Sequence, residues 1–207
     1  MSSLTNSRVT AAVERALDER QREATEEVER ILAAAVRVME RVAPEPPRVS
    51  DIVAEAGSSN KAFYRYFAGK DDLILAVMER GVAIVVSYLQ HQMAKESRPQ
   101  DKVARWIEGT LAQVAHPHLI RKSRAAAGQM ATGTNWRTVD QEMMLPLRDL
   151  LVEPVAALGS SDVDRDVEAV FCCTAATMRR YMGSAERPGP DDIAHVVRFC
   201  LKGLGVK

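Results

Sequence analysis

Apolar positions along this chain recur at helical spacing, and no segment shows the period-two alternation of a half-buried strand. Val28, Ile31, Leu32, Ala35, Val38, Met39 and Val42 form one stripe, which predicts a helix from about Thr10 to Val42. Upstream, Val9, Val13, Ala16 and Leu17 continue that stripe more weakly among alternating Arg and Glu. A second, shorter stripe runs through Val49, Ile52, Val53 and Ala56, and Gly57 closes it as a residue suited to the left-handed region. Ser58 and Ser59 follow as turn or N-cap candidates. Phe63 and Phe67 lie one turn apart and can face a core together, whereas Asn60, Lys61, Tyr64 and Arg65 project from a different face.

Beyond this segment the pattern stays helical. Asp71 to Glu96 predicts a long linking helix with both aspartates in its first turn, where they favour the positive end of the helix dipole. Pro99 opens a helix carrying Val103, Trp106, Ile107, Thr110, Leu111 and Val114, which His116-Pro117-His118 breaks. Leu119 to Met130 predicts another helix, and Thr132 to Asn135 a loop. A helix from about Trp136 to Leu158 is bent or divided by Pro146 and Pro154. Two final helices, about Asp162 to Met182 and Asp191 to Leu204, flank Arg187-Pro188-Gly189-Pro190.

A helix, a tight turn and a short helix that buries two phenyl rings while offering Asn, Lys, Tyr and Arg suit a DNA major groove. Asn60, Lys61 and Arg65 are candidates for base contact, since Asn pairs with adenine edges and Arg or Lys with guanine. Solvated helix faces also carry Lys and Arg, so the pattern alone leaves an ordinary surface helix open.

The stretch from Arg30 to Val77 resembles the DNA-binding domain of TetR-family transcriptional repressors. Arg30-Ile31-Leu32 and Ala34-Ala35 match the first helix, and Val49, Asp51-Ile52 and Ala56-Gly57 the second. Ser59, Phe63-Tyr64, Phe67 and Lys70-Asp71-Asp72-Leu73 match the third helix and the start of the fourth. The resemblance implies that Tyr64 and Lys70 meet phosphate, while Ser59 as N-cap and Arg48 at the second helix can join them. Four departures stand out. Arg48 replaces the usual hydroxyl, so the second helix is expected to start later with Ser50 as cap. Ser58 replaces an apolar residue and removes a small core contact, and Ala62 replaces a Thr whose hydroxyl would meet phosphate. Pro44, Pro46 and Pro47 stiffen a link that usually contains Gly.

The expected fold is all-α with about nine helices. Residues 1–25 form a helical N-terminal extension, 26–70 a three-helix helix-turn-helix domain, and 71–207 a larger helical regulatory and dimerisation domain. Acidic residues outnumber basic ones between Met1 and Arg30, so the extension reads as a solvated, salt-bridge-laced helix. An arm to DNA or a segment docking on another subunit are its alternatives. The 28 basic and 28 acidic residues cancel, so nucleic-acid affinity must come from a local patch. Three cysteines without a Cys-x-x-Cys motif suggest a reducing cytosol, and no apolar run is long enough to span a bilayer. A soluble cytoplasmic protein without metal or cofactor is expected.

A short reading helix covers few base pairs, which calls for a homodimer on a palindromic double-stranded operator. Val167, Val170, Phe171 and Met178 on one terminal helix, with Ile193, Val196, Val197, Phe199 and Cys200 on the other, are the candidate interface. These stripes can equally serve the monomer core. The resemblance further implies a pocket for a small, largely apolar effector, with Trp106, Met130, Trp136, Met143, Met144, Phe171 and Met178 as candidates. Arg121, Lys122 and Arg124 read as a solvated face that could bind an anionic group. The resulting expectation is a DNA-binding repressor released by a small molecule. A regulator switched by a protein partner is the alternative, and an all-helical enzyme a remote one, since no catalytic motif is present.

Overall fold

The computed structural model describes residues 7–43, 45–117, 119 and 136–206. Within them the elements are α1 (Ser7–Val42), α2 (Val49–Ala56), α3 (Asn60–Tyr66), α4 (Lys70–Met93), α5 (Pro99–Ala115), α6 (Trp136–Asp149), α7 (Val152–Ala157), α8 (Val163–Met182) and α9 (Pro190–Gly203). No strand occurs among the described residues, and no helix there is long and apolar enough to cross a membrane. Pro44, the segment expected to form a helix from Leu119 to Met130 with Arg121, Lys122 and Arg124, and the loop to Asn135 lie outside the described residues, Leu119 itself excepted. The chain forms two compact units, Met1–Val77 and Met78–Lys207.

In the first unit α1 runs unbroken through residue 25, where the extension was expected to end. Its first turns are exposed, including Val9, Val13 and Leu17, and Arg22 pairs with Glu19 and Glu26 at 3.3 and 4.0 Å. From Ile31 onward the helix buries Ile31, Leu32, Ala34, Ala35, Val38 and Met39. Ile52 and Val53 of α2 are buried as well. A fork of two arginines closes the α1–α2 edge, with Arg37 Nε 2.8 Å and Arg41 Nη1 3.1 Å from the two oxygens of Glu55. Both hydrogen bonds hold the Glu55 carboxyl below its ordinary value.

Several helix ends follow directly from the residues placed there. Pro99 and Pro190 each occupy the first position of a helix, where a missing N–H has no intrahelical partner to lose. Asp162 caps α8 by accepting from the Arg165 N–H at 3.3 Å. α2 departs from expectation: it begins at Val49 with Arg48 as an extended N-cap lacking a side-chain bond, while Ser50 Oγ faces Asp51 Oδ1 at 3.4 Å. An uncapped start is tolerated because Arg48 supplies its backbone carbonyl to Asp51 and Ile52.

In the second unit α5 is central and packs against α7, α8 and α9. Its Trp106 is 1% exposed and donates from Nε1 to the Leu147 carbonyl at 2.9 Å. The core continues through Leu89, Ile107, Leu111, Leu151, Val155, Val167, Val170, Val196 and Cys200. Neither Pro146 nor Pro154 divides the helix expected from Trp136 to Leu158. Pro146 lies inside α6, the break falls at Leu150–Leu151, and Pro154 sits in the first turn of α7. There its missing donor has no intrahelical partner.

Gly109 of α5 lies so close to Leu89 of α4 that an added Cβ would collide with the Leu89 side chain, which is fully buried. Gly109→Ala is expected to lower stability by about 1–3 kcal/mol through overpacking, measured by urea denaturation, and unchanged stability would contradict this close approach. Because the folded Glu55 carboxyl titrates below its ordinary 4.5, its contribution is complete above that value and fades as pH falls through the lower folded one. Thermal unfolding from pH 7 downward should therefore show less acid loss in Glu55→Gln than in the unsubstituted chain, and identical profiles would count against the fork.

Candidate nucleic-acid interface

α3 is only seven residues long, too short to hold a helical shape without tertiary support. Three local features supply that support. Gly57 takes φ +61°, and the bonds from Gly57 N–H to Ala54 O (3.2 Å) and from Ser58 N–H to Val53 O (2.9 Å) close α2 as a Schellman turn. The Ser59 hydroxyl then caps α3 by accepting from the Ala62 N–H at 3.2 Å. Phe63 and Phe67, 0% and 5% exposed, sit with ring centroids 5.5 Å apart. Phe67 lies just past the helix, and its N–H still bonds Phe63 O at 2.9 Å.

With that side turned inward, Ser59, Asn60, Lys61, Tyr64 and Arg65 are all exposed. Tyr64 is 61% exposed and meets the edge of Phe63 at 5.1 Å with planes at 85°. Arg48 is exposed before α2, and half-buried Lys70 opens α4. Among the described residues no carboxylate pairs with Arg48, Lys61 or Lys70, so their charge is available to phosphate. Arg65 differs, since its Nη1 lies 3.8 Å from Glu27 Oε2 on α1. The face thus offers compact positive charge, hydroxyl groups and one amide on a rigid support, a donor-rich set matched to phosphates and base edges.

Two expected deficits have physical answers. Ser58 does lose an apolar contact, but its hydroxyl donates to Glu27 Oε1 at 3.1 Å. Ala62 is 5% exposed. That position is turned inward, so no phosphate contact is vacated there. Glu27 itself was missed: Tyr66 donates to its Oε2 at 2.9 Å, and this bond, followed by Ser58 and the charges of Arg65 and Arg30, lowers its pKa against the opposing effect of burial. The available signal was a carboxylate four residues before Ile31 on the apolar face of α1.

The other candidate sets separate by burial. Val167, Val170, Val196 and Cys200 belong to the second unit's core, Phe171, Met178, Ile193 and Val197 pack partly against it, and Phe199 is 64% exposed. The first four are thus monomer core, not a free interface. Among the effector candidates, Trp106 is buried with its indole donor already used, and its ring centroid lies 6.3 Å from that of Phe171. Met143 is 9% exposed, and Met144 and Met178 are half-buried. Met130 and the Trp136 side chain lie outside the described residues. The Thr110 hydroxyl is buried without a hydrogen-bond partner among the described residues.

Residues 31–77 match the family model described as bacterial regulatory proteins, tetR family. No curated protein sequence matches the chain. The fold is similar to that of the fatty acid degradation regulator FadR from Bacillus halodurans, with TM-score 0.68 and 18% identity, over 84% of this chain and 94% of that one. It is also similar to FadR from Bacillus subtilis in complex with stearoyl-CoA, with TM-score 0.65 and 16% identity, over 85% and 96% of the two chains. RolR in complex with resorcinol gives TM-score 0.65 and 15% identity over 90% and 91%. The helix-turn-helix of residues 31–77 thus matches that of the tetR family of bacterial regulatory proteins, and the fold of the chain is similar to that of the solved FadR regulators.

Proposed function

We propose that the chain is a cytoplasmic repressor that binds a palindromic operator as a homodimer and leaves it when a small, largely apolar effector binds. The observation that carries this reading is α3, seated by Phe63 and Phe67 with Asn60, Lys61, Tyr64 and Arg65 exposed beside one another. In this reading Asn60, Lys61 and Arg65 approach base edges, while Arg48, Ser59, Tyr64 and Lys70 meet phosphate and fix register.

One α3 covers too few base pairs for useful selectivity, which supports a dimer on paired half-sites. Phe199 of α9 is an exposed phenyl, and Ala169, Cys172 and Ala176 form an exposed row of small residues on α8. Together they suit a helical interface in which Phe171, Met178, Ile193 and Val197 lose their remaining exposure. The effector reading draws on the FadR complex with stearoyl-CoA and the RolR complex with resorcinol. In this chain it is supported by the buried Thr110 hydroxyl, which has no hydrogen-bond partner among the described residues and suits a ligand offering one hydrogen-bonding group. Release requires that the ligand prefer the state that fits the operator poorly.

Selection of bound fragments from genomic or random DNA tests the reading, and should return two related half-sites at a fixed spacing; no enrichment would refute it. On such an operator Lys61→Ala or Arg65→Ala should cost about 1–3 kcal/mol and relax preference at a defined base pair. Lys70→Ala should weaken operator and random duplexes alike, as a titration on both will show. Phe199→Glu should shift the chain toward monomer in analytical ultracentrifugation, and an unaltered dimer would remove α9 from the interface.

A further inference from the structure

Glu27 precedes the family-matched stretch, which begins at residue 31, yet its carboxylate reaches both ends of α3. Oε1 accepts from Ser58 in the turn before the helix at 3.1 Å. Oε2 accepts from Tyr66, the last residue of the helix, at 2.9 Å. Arg65 Nη1 lies 3.8 Å from the same Oε2, and its guanidinium carbon stands 5.6 Å from the Tyr66 ring centroid. The group lines an open groove with Arg20 and Arg30 of α1. Ser58 is itself a departure from the usual apolar residue, so this polar cluster belongs to the chain's own sequence.

We infer that Glu27 is a positioning residue for DNA reading, which fixes the tilt of α3 through Ser58 and Tyr66 and competes with DNA for Arg65. This rests on the DNA-reading function proposed above. Two hydrogen bonds at opposite ends of a short helix constrain its direction in a way that a single contact cannot. The charge acts separately. With the Arg65 side chain 59% exposed, the guanidinium can exchange Glu27 for an acceptor on the duplex. On arbitrary DNA that exchange trades one anion for another, so the sequence-independent affinity stays low. At the operator, base-edge hydrogen bonds add to the trade, and discrimination widens as a result.

The test uses the full chain, its selected operator and a random duplex, titrated over a salt series. Glu27→Gln keeps an acceptor of the same shape and removes the charge. It should bind random DNA several-fold tighter, steepen the dependence of log K on log salt by about 0.9, and narrow the operator-to-random ratio. Tyr66→Phe keeps the charge and removes one tie. It should leave the salt slope unchanged and narrow the ratio by roughly two- to tenfold, the worth of one hydrogen bond. An unaltered slope in Glu27→Gln overturns the competition for Arg65, and an unaltered ratio in Tyr66→Phe overturns the positioning. Failure of the unsubstituted chain to prefer any duplex would refute the function itself and this inference with it.

Discussion

The burial of Phe63 and Phe67 is the contact on which the proposed reading surface depends. Full burial of a phenyl group stabilises by about 1.5–3 kcal/mol, whereas a seven-residue helix has almost no stability of its own. The rings therefore decide both that α3 forms and which way it faces. With Phe63 inward, helical geometry turns 61, 64 and 65 outward, and Asn60 in the first turn is exposed as well. The Schellman turn at Gly57 and the Ser59 cap then fix where the helix begins. Hydrophobic burial provides the energy here, and hydrogen bonds at the two ends provide the register.

Much of this was legible in the sequence because it is local. The periodicity of α1, the left-handed Gly57, the Ser59 cap and the two-faced α3 each depend on residues within a turn or two of one another. Contacts between distant residues were not legible. Glu27 meets Ser58 and Tyr66 from 31 and 39 positions away, and its place on the apolar face of α1 marks it as inward-facing without naming those partners. Helix α2 likewise starts without a hydroxyl cap because a backbone carbonyl suffices, an outcome that a residue-type preference does not foresee. Pro154 illustrates the same limit. Proline reads as a breaker, yet it is harmless in a first turn, and only the break at Leu150–Leu151 makes that position a first turn.

Burial separated what patterning had grouped. The stripes of α8 and α9 show the same apolar spacing, but Val167, Val170, Val196 and Cys200 are committed to the monomer core while Phe199 stays outside. Periodicity shows that a face is apolar without showing what covers it. Trp106 is comparable: its size suited a ligand box, whereas its hydrogen bond to Leu147 makes it part of the scaffold. Thr110, one turn further along α5, keeps a buried hydroxyl without a hydrogen-bond partner among the described residues. A buried polar group in that state is costly unless something bonds it, which is why it supports the proposed effector more than the larger side chains do.

The central claim is that α3 enters the duplex with its 60, 61, 64 and 65 face. Backbone amide shifts of the isotope-labelled chain, recorded with and without its selected operator, test this residue by residue. The account predicts the largest changes at Ser59–Arg65, with smaller ones at Arg48 and Lys70. Changes concentrated on the exposed early turns of α1 or within residues 78–206, with Asn60, Lys61 and Tyr64 unmoved, would contradict it.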